Sequence, residues 1–236
     1  MTKEGFFDRK LYLDILEKRI SALKDGYRQN IAIVGDESVG KTSIIFKLLN
    51  KFCDTHIITV YLEIKPESPD SFIKRFIGVL LYNFLSASGI PLTEDIDFLI
   101  NKSRKFAPKT AEKVRAILNA TAKRKQNNAF QELLSLCDMI NQETGKFCVV
   151  IFDEFHNLES LGFKNMYREW SKLLIQQKNT LYIIISSMKF KTKAILSKHL
   201  SLLFGNFEVL TIEPFDIRMS ERYLEQKLQW PSLNTP

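Results

Sequence analysis

The 236-residue sequence is poor in cysteine and has no long apolar run, and each absence excludes a class of protein. Its three cysteines, Cys53, Cys137 and Cys148, form an odd set without CxxC spacing. This pattern indicates free thiols in a reducing cytoplasm rather than a disulfide framework. No apolar run approaches the roughly 20 residues that a membrane-spanning helix requires. Residues 1–5 carry no apolar stretch after their charges, so we expect neither a secretory signal nor a membrane partner.

The composition itself is that of an ordinary globular domain with a basic surplus. Hydrophobic residues make up 45% of the chain and charged residues 26%, and the formal net charge is +7. This apolar fraction is sufficient for a substantial core, and the length suits one large domain. A basic surplus is compatible with a nucleic-acid partner or an anionic membrane surface, and equally with solubility alone. The location of the charges therefore matters more than their sum.

Five short apolar segments have the character of strands and alternate with segments of helical periodicity. Strands are predicted at residues 30–35, 56–64, 147–153, 181–187 and 207–212. They are mostly unbroken apolar runs, which is typical of strands buried on both faces of a parallel sheet. Helices are predicted at residues 11–24, 41–52, 71–87, 128–141, 165–177 and 220–228. The alternation predicts a three-layer α/β fold with a parallel five-stranded sheet.

The segment from Gly35 to Thr42 matches the phosphate-loop pattern GxxxxGK[ST] without a mismatch. A predicted strand precedes it and a predicted helix follows it, which is the context that such a loop requires. Backbone N–H groups of residues 38–41 would surround the β-phosphate of ATP at the positive end of the helix. Lys41 would neutralise the β and γ oxygens, and the Thr42 hydroxyl would ligate Mg²⁺. The predicted nucleotide-binding residues of this loop are Gly35, Asp36, Glu37, Ser38, Val39, Gly40, Lys41, Thr42 and Ser43.

The predicted strand at 147–153 ends in two carboxylates, Asp153 and Glu154. Asp153 would hold the Mg²⁺ through water, and Glu154 would orient or deprotonate the attacking water as a general base. Carboxylates beside a buried strand are costly unless a cation or water compensates them. Acidic residues are also common where a strand leaves into a polar loop. It is the combination with the phosphate loop that favours the catalytic interpretation.

The order of these motifs narrows the class of protein. A strand at 57–64 lies between the phosphate loop and Asp153, and an intervening strand with Glu beside Asp resembles the additional-strand, catalytic-glutamate group of P-loop ATPases. Small-molecule kinases usually lack this Glu, and the absence of a DxxG motif with a later NKxD disfavours guanine specificity. Residues 153–156 also spell the helicase motif DExH. Helicases of that type use a different phosphate loop and two domains, so His156 is interpreted as a packed or capping residue.

Together these residues resemble the AAA+ ATPase module of the archaeal-type ATPases, close to the signal-transduction (STAND) and origin-recognition ATPases. The resemblance covers residues 6–228. Residues 6–16 are similar to the family segment F-x-x-R-x-x-E-L-x-x-L, which lies over the adenine. The resemblance therefore implies that Phe7 and Arg9 lie near the base, with a hydrophobic staple as the alternative role of Phe7.

The C-terminal third of the chain resembles the same family, with one departure. The strand at 181–187 is similar to the sensor strand whose polar end reads the γ-phosphate, which implies Ser187 as a catalytic residue and Ser186 as the second choice. Asn206 stands where the family has an arginine, and an arginine near the phosphates strongly stabilises transition-state charge. The resemblance thus predicts an ATPase domain over 1–219, with slow turnover, and the start of a truncated helical lid over 220–236.

Basic residues crowd an insertion that is predicted at about 87–128. Between residues 102 and 125 the cations are Lys102, Arg104, Lys105, Lys109, Lys113, Arg115, Lys123, Arg124 and Lys125. Such a face is compatible with nucleic acid or an acidic protein partner, and also with a solvated helical surface. Phe106 is its only aromatic residue, so base stacking is not indicated.

Three functions follow from these patterns. The first is an ATP hydrolase that drives conformational change in a larger machine, with DNA as a candidate substrate. The second is a switch that binds ATP or ADP with little turnover, which Asn206 favours. The third, a small-molecule phosphotransferase, is disfavoured by Glu154. The family resemblance also implies homo-oligomers through AAA+ contacts.

Overall fold

A single parallel sheet forms the centre of the molecule, and the computed structural model describes residues 9–52, 54–86, 91–123, 128–200 and 207–228. The strands are β1 Asn30–Val34, β2 Ile57–Glu63, β3 Phe147–Asp153, β4 Thr180–Ser186 and β5 Phe207–Thr211. They pair in the order β2-β3-β4-β1-β5, and every pairing is parallel. The predicted parallel five-stranded sheet is confirmed, and each strand begins and ends within about one residue of its expected position.

The strand order identifies the type of sheet. β4 lies between β1, which precedes the phosphate loop, and β3, which ends in the paired carboxylates. β2, the strand that intervenes in the sequence, lies at the edge of the sheet beyond β3. A strand inserted between those two functional strands is the arrangement of the additional-strand ATPases, so the predicted fold class is confirmed.

Helices cover both faces of the sheet. Within the described ranges they are α1 Lys10–Leu23, α2 Lys41–Lys51, α3 Pro69–Ser86, α4 Ile96–Ser103, α5 Pro108–Ala122, α6 Ala129–Thr144, α7 Met166–Gln176, α8 Lys189–Lys198 and α9 Ile217–Leu228, with a 3₁₀ helix at Phe155–Leu161. None of these helices combines the length and apolar character needed to cross a bilayer. The sequence pattern did not indicate α8, because it buries only Thr192 and Ile195.

Two apolar cores, one on each face of the sheet, make the three layers. Successive residues of a strand point to opposite faces, so Ile31 and Ile33 of β1 pack with α1 and α2, whereas Ala32 faces the other core. That second core is larger and contains α3 to α7. Because all five strands are parallel, their carboxyl ends meet at one edge, and ligands of open α/β sheets bind at that edge.

The predicted basic insertion contributes α4 and α5 to this larger core. Val114 and Ile117 of α5 are buried in it, and the Glu143 carboxylate accepts hydrogen bonds from the first N–H groups of α5, at Lys109 and Thr110. The insertion is therefore packed onto the domain through its apolar face. Of its cations, Arg104, Lys105, Lys109 and Lys123 are exposed, Lys102, Lys113 and Arg115 are half-buried, and Arg124 and Lys125 lie outside the described residues.

Candidate functional site

The loop between β1 and α2 has the tight backbone path that its sequence predicts. Gly40 has a φ of 94°, in the left-handed region that glycine adopts without a steric penalty. Ser38 also lies in that region, with a φ of 61°, which is costly for a residue with a side chain. The Ile44 N–H donates to the Gly40 carbonyl at 3.1 Å, so α2 begins directly at the loop. The unpaired N–H groups of its first turn are thereby available to an anion.

Gly35 is required for a different reason, because the backbone that directly follows β5 passes close to it. A Cβ added at Gly35 would lie 2.4 Å from the carbonyl oxygen of Ile212. Gly35→Ala is therefore expected to destabilise the fold by about 1–3 kcal/mol, as overpacking does. The control is Gly78→Ala in α3, where an added Cβ meets nothing within 4 Å. That variant is expected to gain up to about 1 kcal/mol from helix propensity. Urea unfolding measures both, and equal effects would contradict the steric argument.

Lys41 is buried in the wall of the site. Its exposed fraction is 5%, and its Nζ donates to the carbonyls of Gly35 at 2.9 Å and Asp36 at 2.6 Å. Burial lowers the pKa of Lys41, and the negative charges of Glu154 and Asp153 oppose that shift. The ammonium group is thus held inside the loop by backbone acceptors.

Asp153 is almost completely buried, with an exposed fraction of 2%, and three donors hold its carboxylate. Thr42 Oγ1 donates to Oδ2 at 2.7 Å, Tyr61 Oη donates to the same oxygen at 2.8 Å, and the Glu154 N–H donates to Oδ1 at 2.8 Å. These bonds offset the cost of burying the charge. The structure therefore brings the two predicted metal ligands, Thr42 and Asp153, into direct contact.

Tyr61, in β2, is a site residue that the sequence pattern missed. Burial raises the pKa of Tyr61, and the adjacent Asp153 charge raises it further, so the phenol stays protonated and donates. Tyr61→Phe is expected to lower the free energy of unfolding by about 1.5–3 kcal/mol, the range for a hydrogen bond to a charged group. Chemical denaturation measures it. Tyr27→Phe, at a tyrosine that is 75% exposed, is the control and should change stability by less than about 0.5 kcal/mol.

Glu154 follows β3 in a strained backbone conformation and faces the same cleft. Its φ is 51°, and its Oε2 accepts a hydrogen bond from Ser187 Oγ at 3.0 Å. Among the described residues other than glycine, positive φ values occur at Ser38, Asn128, Glu154 and Asn165. Asparagine tolerates this region, whereas Ser38 and Glu154 both store strain at the site. Such strain concentrates at functional sites.

Residues of the predicted phosphate loop and Glu154 line a cleft of about 470 Å³. Its lining comprises Glu37, Ser38, Gly40, Lys41, Thr42, Ser43, Glu154, His156, Asn157 and Ser187. Of the other predicted loop residues, Gly35 and Asp36 hold Lys41 through their carbonyls, and Val39 packs against the apolar core that contains α1 and α2. Asp153 is not part of this lining, but it accepts a hydrogen bond from Thr42, which is. His156, expected to be only a packed or capping residue, contributes to the lining.

The remaining predicted residues lie in different places. Arg9 is buried: its guanidinium donates to the carbonyls of Val39 at 3.4 Å and Glu213 at 2.7 Å, and it lies 4.4 Å from the Phe215 ring centroid. It thus connects the phosphate loop to the segment before α9. Phe7 and Asn206 lie outside the described residues. Ser186, the second choice for the sensor position, is fully buried and points toward His156.

This sheet, with a phosphate loop after β1 and paired carboxylates after β3, is the fold of a P-loop nucleoside triphosphatase. The chain belongs to the family described as "ATPase domain predominantly from Archaea", whose sequence model matches residues 6–230. The resemblance to the archaeal-type ATPases is confirmed, and the chain is an ATPase domain. No curated protein sequence gives a significant match to it.

Solved structures share the fold over nearly the whole chain. The Walker-type ATPase PABY2304 of Pyrococcus abyssi is 18% identical, with a TM-score of 0.63, over 99% of this chain and 61% of that one. The Aeropyrum pernix ORC2 protein in its ADP form is 12% identical, with a TM-score of 0.55, over 97% and 54%. The A. pernix ORC1 protein in complex with DNA is 12% identical, with a TM-score of 0.51, over 99% and 53%. The chain thus spans less than two thirds of each of these proteins.

Proposed function

We propose that the cleft binds ATP with Mg²⁺ and hydrolyses the terminal phosphate, with Glu154 as the general base. One observation supports this function above all: a phosphate loop, its lysine and Glu154 line a single cleft, and Asp153 accepts a hydrogen bond from Thr42 in its wall. Cationic and acidic groups that converge on a concave site are the usual sign of catalysis. The identity of the base as adenine rests on the family and on the missing guanine motifs.

The residues at the end of β3 suit a magnesium ion. Thr42 Oγ1 and Asp153 Oδ2 lie 2.7 Å apart, and both are hard oxygen ligands. Mg²⁺ usually binds through one or two protein oxygens together with water and substrate phosphates, so this small set of oxygens is sufficient. The ion would neutralise charge on the phosphates. Tyr61 and the Glu154 N–H would keep the Asp153 carboxylate oriented while it does so.

In the proposed reaction, water attacks the γ-phosphorus while the bond from phosphorus to the β–γ bridging oxygen breaks. The bridging oxygen leaves with the bonding electrons as part of ADP, and a proton of the attacking water passes to Glu154. Lys41 stabilises the charge on the β and γ oxygens. Ser187 lines the same cleft and contacts Glu154, which supports its proposed place beside the γ-phosphate.

We also propose that turnover is slow, because Asn206 replaces the family's arginine and an arginine near the phosphates is worth roughly 10³–10⁵ in rate. A hydrolase that drives a machine on DNA and a switch that mostly stays bound to nucleotide then differ in one measurable property, the effect of DNA on the rate of ATP hydrolysis. Steady-state phosphate release, with and without DNA, separates them. Stimulation by DNA would support the machine, and a slow rate that DNA leaves unchanged would support the switch.

DNA is the partner that we propose for the basic insertion, since a solved structure of the same fold is a DNA complex. Two cations of the insertion already have partners: Lys113 forms an ion pair with Glu132 at 3.1 Å, and Arg115 donates a hydrogen bond to Asn101 at 2.6 Å. The exposed Lys105 and Lys109 are the better probes. Lys105→Glu with Lys109→Glu is expected to weaken DNA binding and to reduce the salt slope by about 2, roughly 0.9 for each phosphate contact. Fluorescence anisotropy over a salt series measures both.

The matched control for this double variant is Lys18→Glu with Lys178→Glu, two exposed lysines on α1 and after α7. It changes the net charge equally and should leave the salt slope near the wild-type value. Equal losses in both double variants would mean that overall charge, not the insertion, binds DNA. An absence of DNA binding by the unaltered protein would instead favour an acidic protein partner or a solvated surface.

We further propose that α9 begins the helical lid and that the module assembles through AAA+ contacts. The lid assignment is supported by Arg9, which bridges the Val39 carbonyl of the phosphate loop and the Glu213 carbonyl before α9. A movement of the loop on nucleotide binding would thereby reach α9. Sedimentation with and without ATP tests the assembly.

A further inference from the structure

His156 occupies a place in the cleft that the proposed reaction does not use. It lies three residues after Asp153, in the first turn of the 3₁₀ helix Phe155–Leu161, and its side chain is 12% exposed. Its Nδ1 is 3.2 Å from Ser186 Oγ and 3.3 Å from Glu154 Oε2. One ring nitrogen therefore faces both the end of β4 and the proposed general base.

The neighbours of that nitrogen indicate where its proton lies. Without a proton, Nδ1 would direct its lone pair at a carboxylate oxygen of Glu154, so the tautomer that carries hydrogen on Nδ1 is favoured. Burial lowers the pKa of His156, and the Glu154 charge opposes that shift, so the ring is neutral near pH 7. Ser186 Oγ accepts a hydrogen bond from the Met188 N–H at 3.1 Å, which fixes the hydroxyl against the ring.

The two contacts to Glu154 reach the same oxygen. Ser187 Oγ donates to Oε2 at 3.0 Å, and His156 Nδ1 approaches Oε2 at 3.3 Å. In the part of the chain that the structure describes, no hydrogen-bond donor contacts Oε1. The carboxylate is thus held through one oxygen, while the other is left to accept a proton.

We propose that His156 is a positioning residue for Glu154: together with Ser187 it holds Oε2, so that Oε1 faces the attacking water. This proposal rests on the function proposed above, in which Glu154 is the base. It also accounts for two consecutive serines at this point of the chain, Ser186 at the end of β4 and Ser187 directly after it. Ser186 orients the histidine and Ser187 binds the glutamate, so each hydroxyl supports one of the two contacting side chains.

The test is the rate of a single turnover of γ-labelled ATP, measured beside the affinity for a fluorescent ATP analogue. His156→Ala is expected to slow hydrolysis by about 10–100-fold, as misoriented catalytic groups do, while the affinity changes by less than about twofold. His156→Asn places an amide nitrogen near the position of Nδ1 and should recover part of the rate. His156→Gln places its amide near Nε2 and should not. Equal rates for the Asn and Ala variants, or a wild-type rate for Ala, would overturn the proposal.

A double variant, in which His156→Ala is combined with Glu154→Gln, separates this proposal from the proposed function. If His156 acts through Glu154, His156→Ala should cause no further loss in a Glu154→Gln protein, which is the non-additivity expected of coupled groups. An equal further loss in that background would show that His156 does not act through Glu154. A normal rate for Glu154→Gln alone would defeat the proposed function itself. Loss in Glu154→Gln with none in His156→Ala would defeat only the positioning role.

Discussion

Lys41→Ala is expected to weaken ATP binding by at least about a hundredfold, which corresponds to about 2.7 kcal/mol. The expectation rests on the position of Lys41, which is 5% exposed and bonded to the loop's own carbonyls. Removing it deletes a charge-assisted contact to phosphate and leaves phosphate charge uncompensated in a partly desolvated site. Titration with a fluorescent ATP analogue measures the loss, and equal affinity in the variant would refute the site assignment.

Lys51→Ala is the matched control for this prediction. Lys51 lies at the opposite end of the same helix, α2, and pairs with Glu17 at 2.7 Å on the surface. Its removal takes one positive charge from the same element without touching the cleft. We expect less than about a twofold change in ATP affinity, because exposed ion pairs contribute little and act locally. Equal losses in the two variants would mean that net charge governs binding.

Glu154→Gln is expected to bind ATP with nearly wild-type affinity and to lose at least about a hundredfold in turnover, the usual contribution of a general base. Glutamine keeps the size of the side chain and an oxygen that can accept from Ser187, but it cannot take a proton from water. A single-turnover assay beside a binding titration separates the two effects. A large loss of ATP affinity in this variant would show that Glu154 binds ATP instead of activating water.

The control for this substitution is a second carboxylate at the same sheet edge. Glu63, the last residue of β2, is exposed and lies opposite Asp153 in the strand register. Glu63→Gln should retain the wild-type turnover. If Glu63→Gln lost turnover and Glu154→Gln did not, the general base would belong to β2.

The fold could be predicted because its signals are local and agree with one another. Unbroken apolar runs such as the one at β3 are typical of doubly buried strands, and the loop motif fixes the strand before it and the helix after it. The position of Lys41 and Thr42 follows from that motif alone. Where local periodicity is weak, as in α8, the sequence carried no comparable indication, since contacts with the rest of the domain decide that helix.

The site residues that the sequence pattern did not predict depend on contacts between distant segments of the chain. Tyr61 reaches Asp153 only because β2 pairs with β3 in a register that places Glu63 beside Asp153. The sequence indicated only that Tyr61 is a polar residue near the end of a predicted strand. The role of His156 depends on the left-handed backbone conformation at Glu154, which the residue types at these positions do not indicate. Such side-chain directions follow from the folded backbone and not from spacing in the sequence.

The central claim is that the loop at Gly35–Thr42 and the carboxylates of Asp153 and Glu154 form one ATP site. A crystal structure of the Glu154→Gln protein with ATP and Mg²⁺ tests it most directly. The predicted result is a β-phosphate on the backbone N–H groups of the loop, a Mg²⁺ ion between Thr42 and Asp153, and a γ-phosphate facing residue 154. A nucleotide bound elsewhere, or a metal ion away from Thr42 and Asp153, would contradict the account.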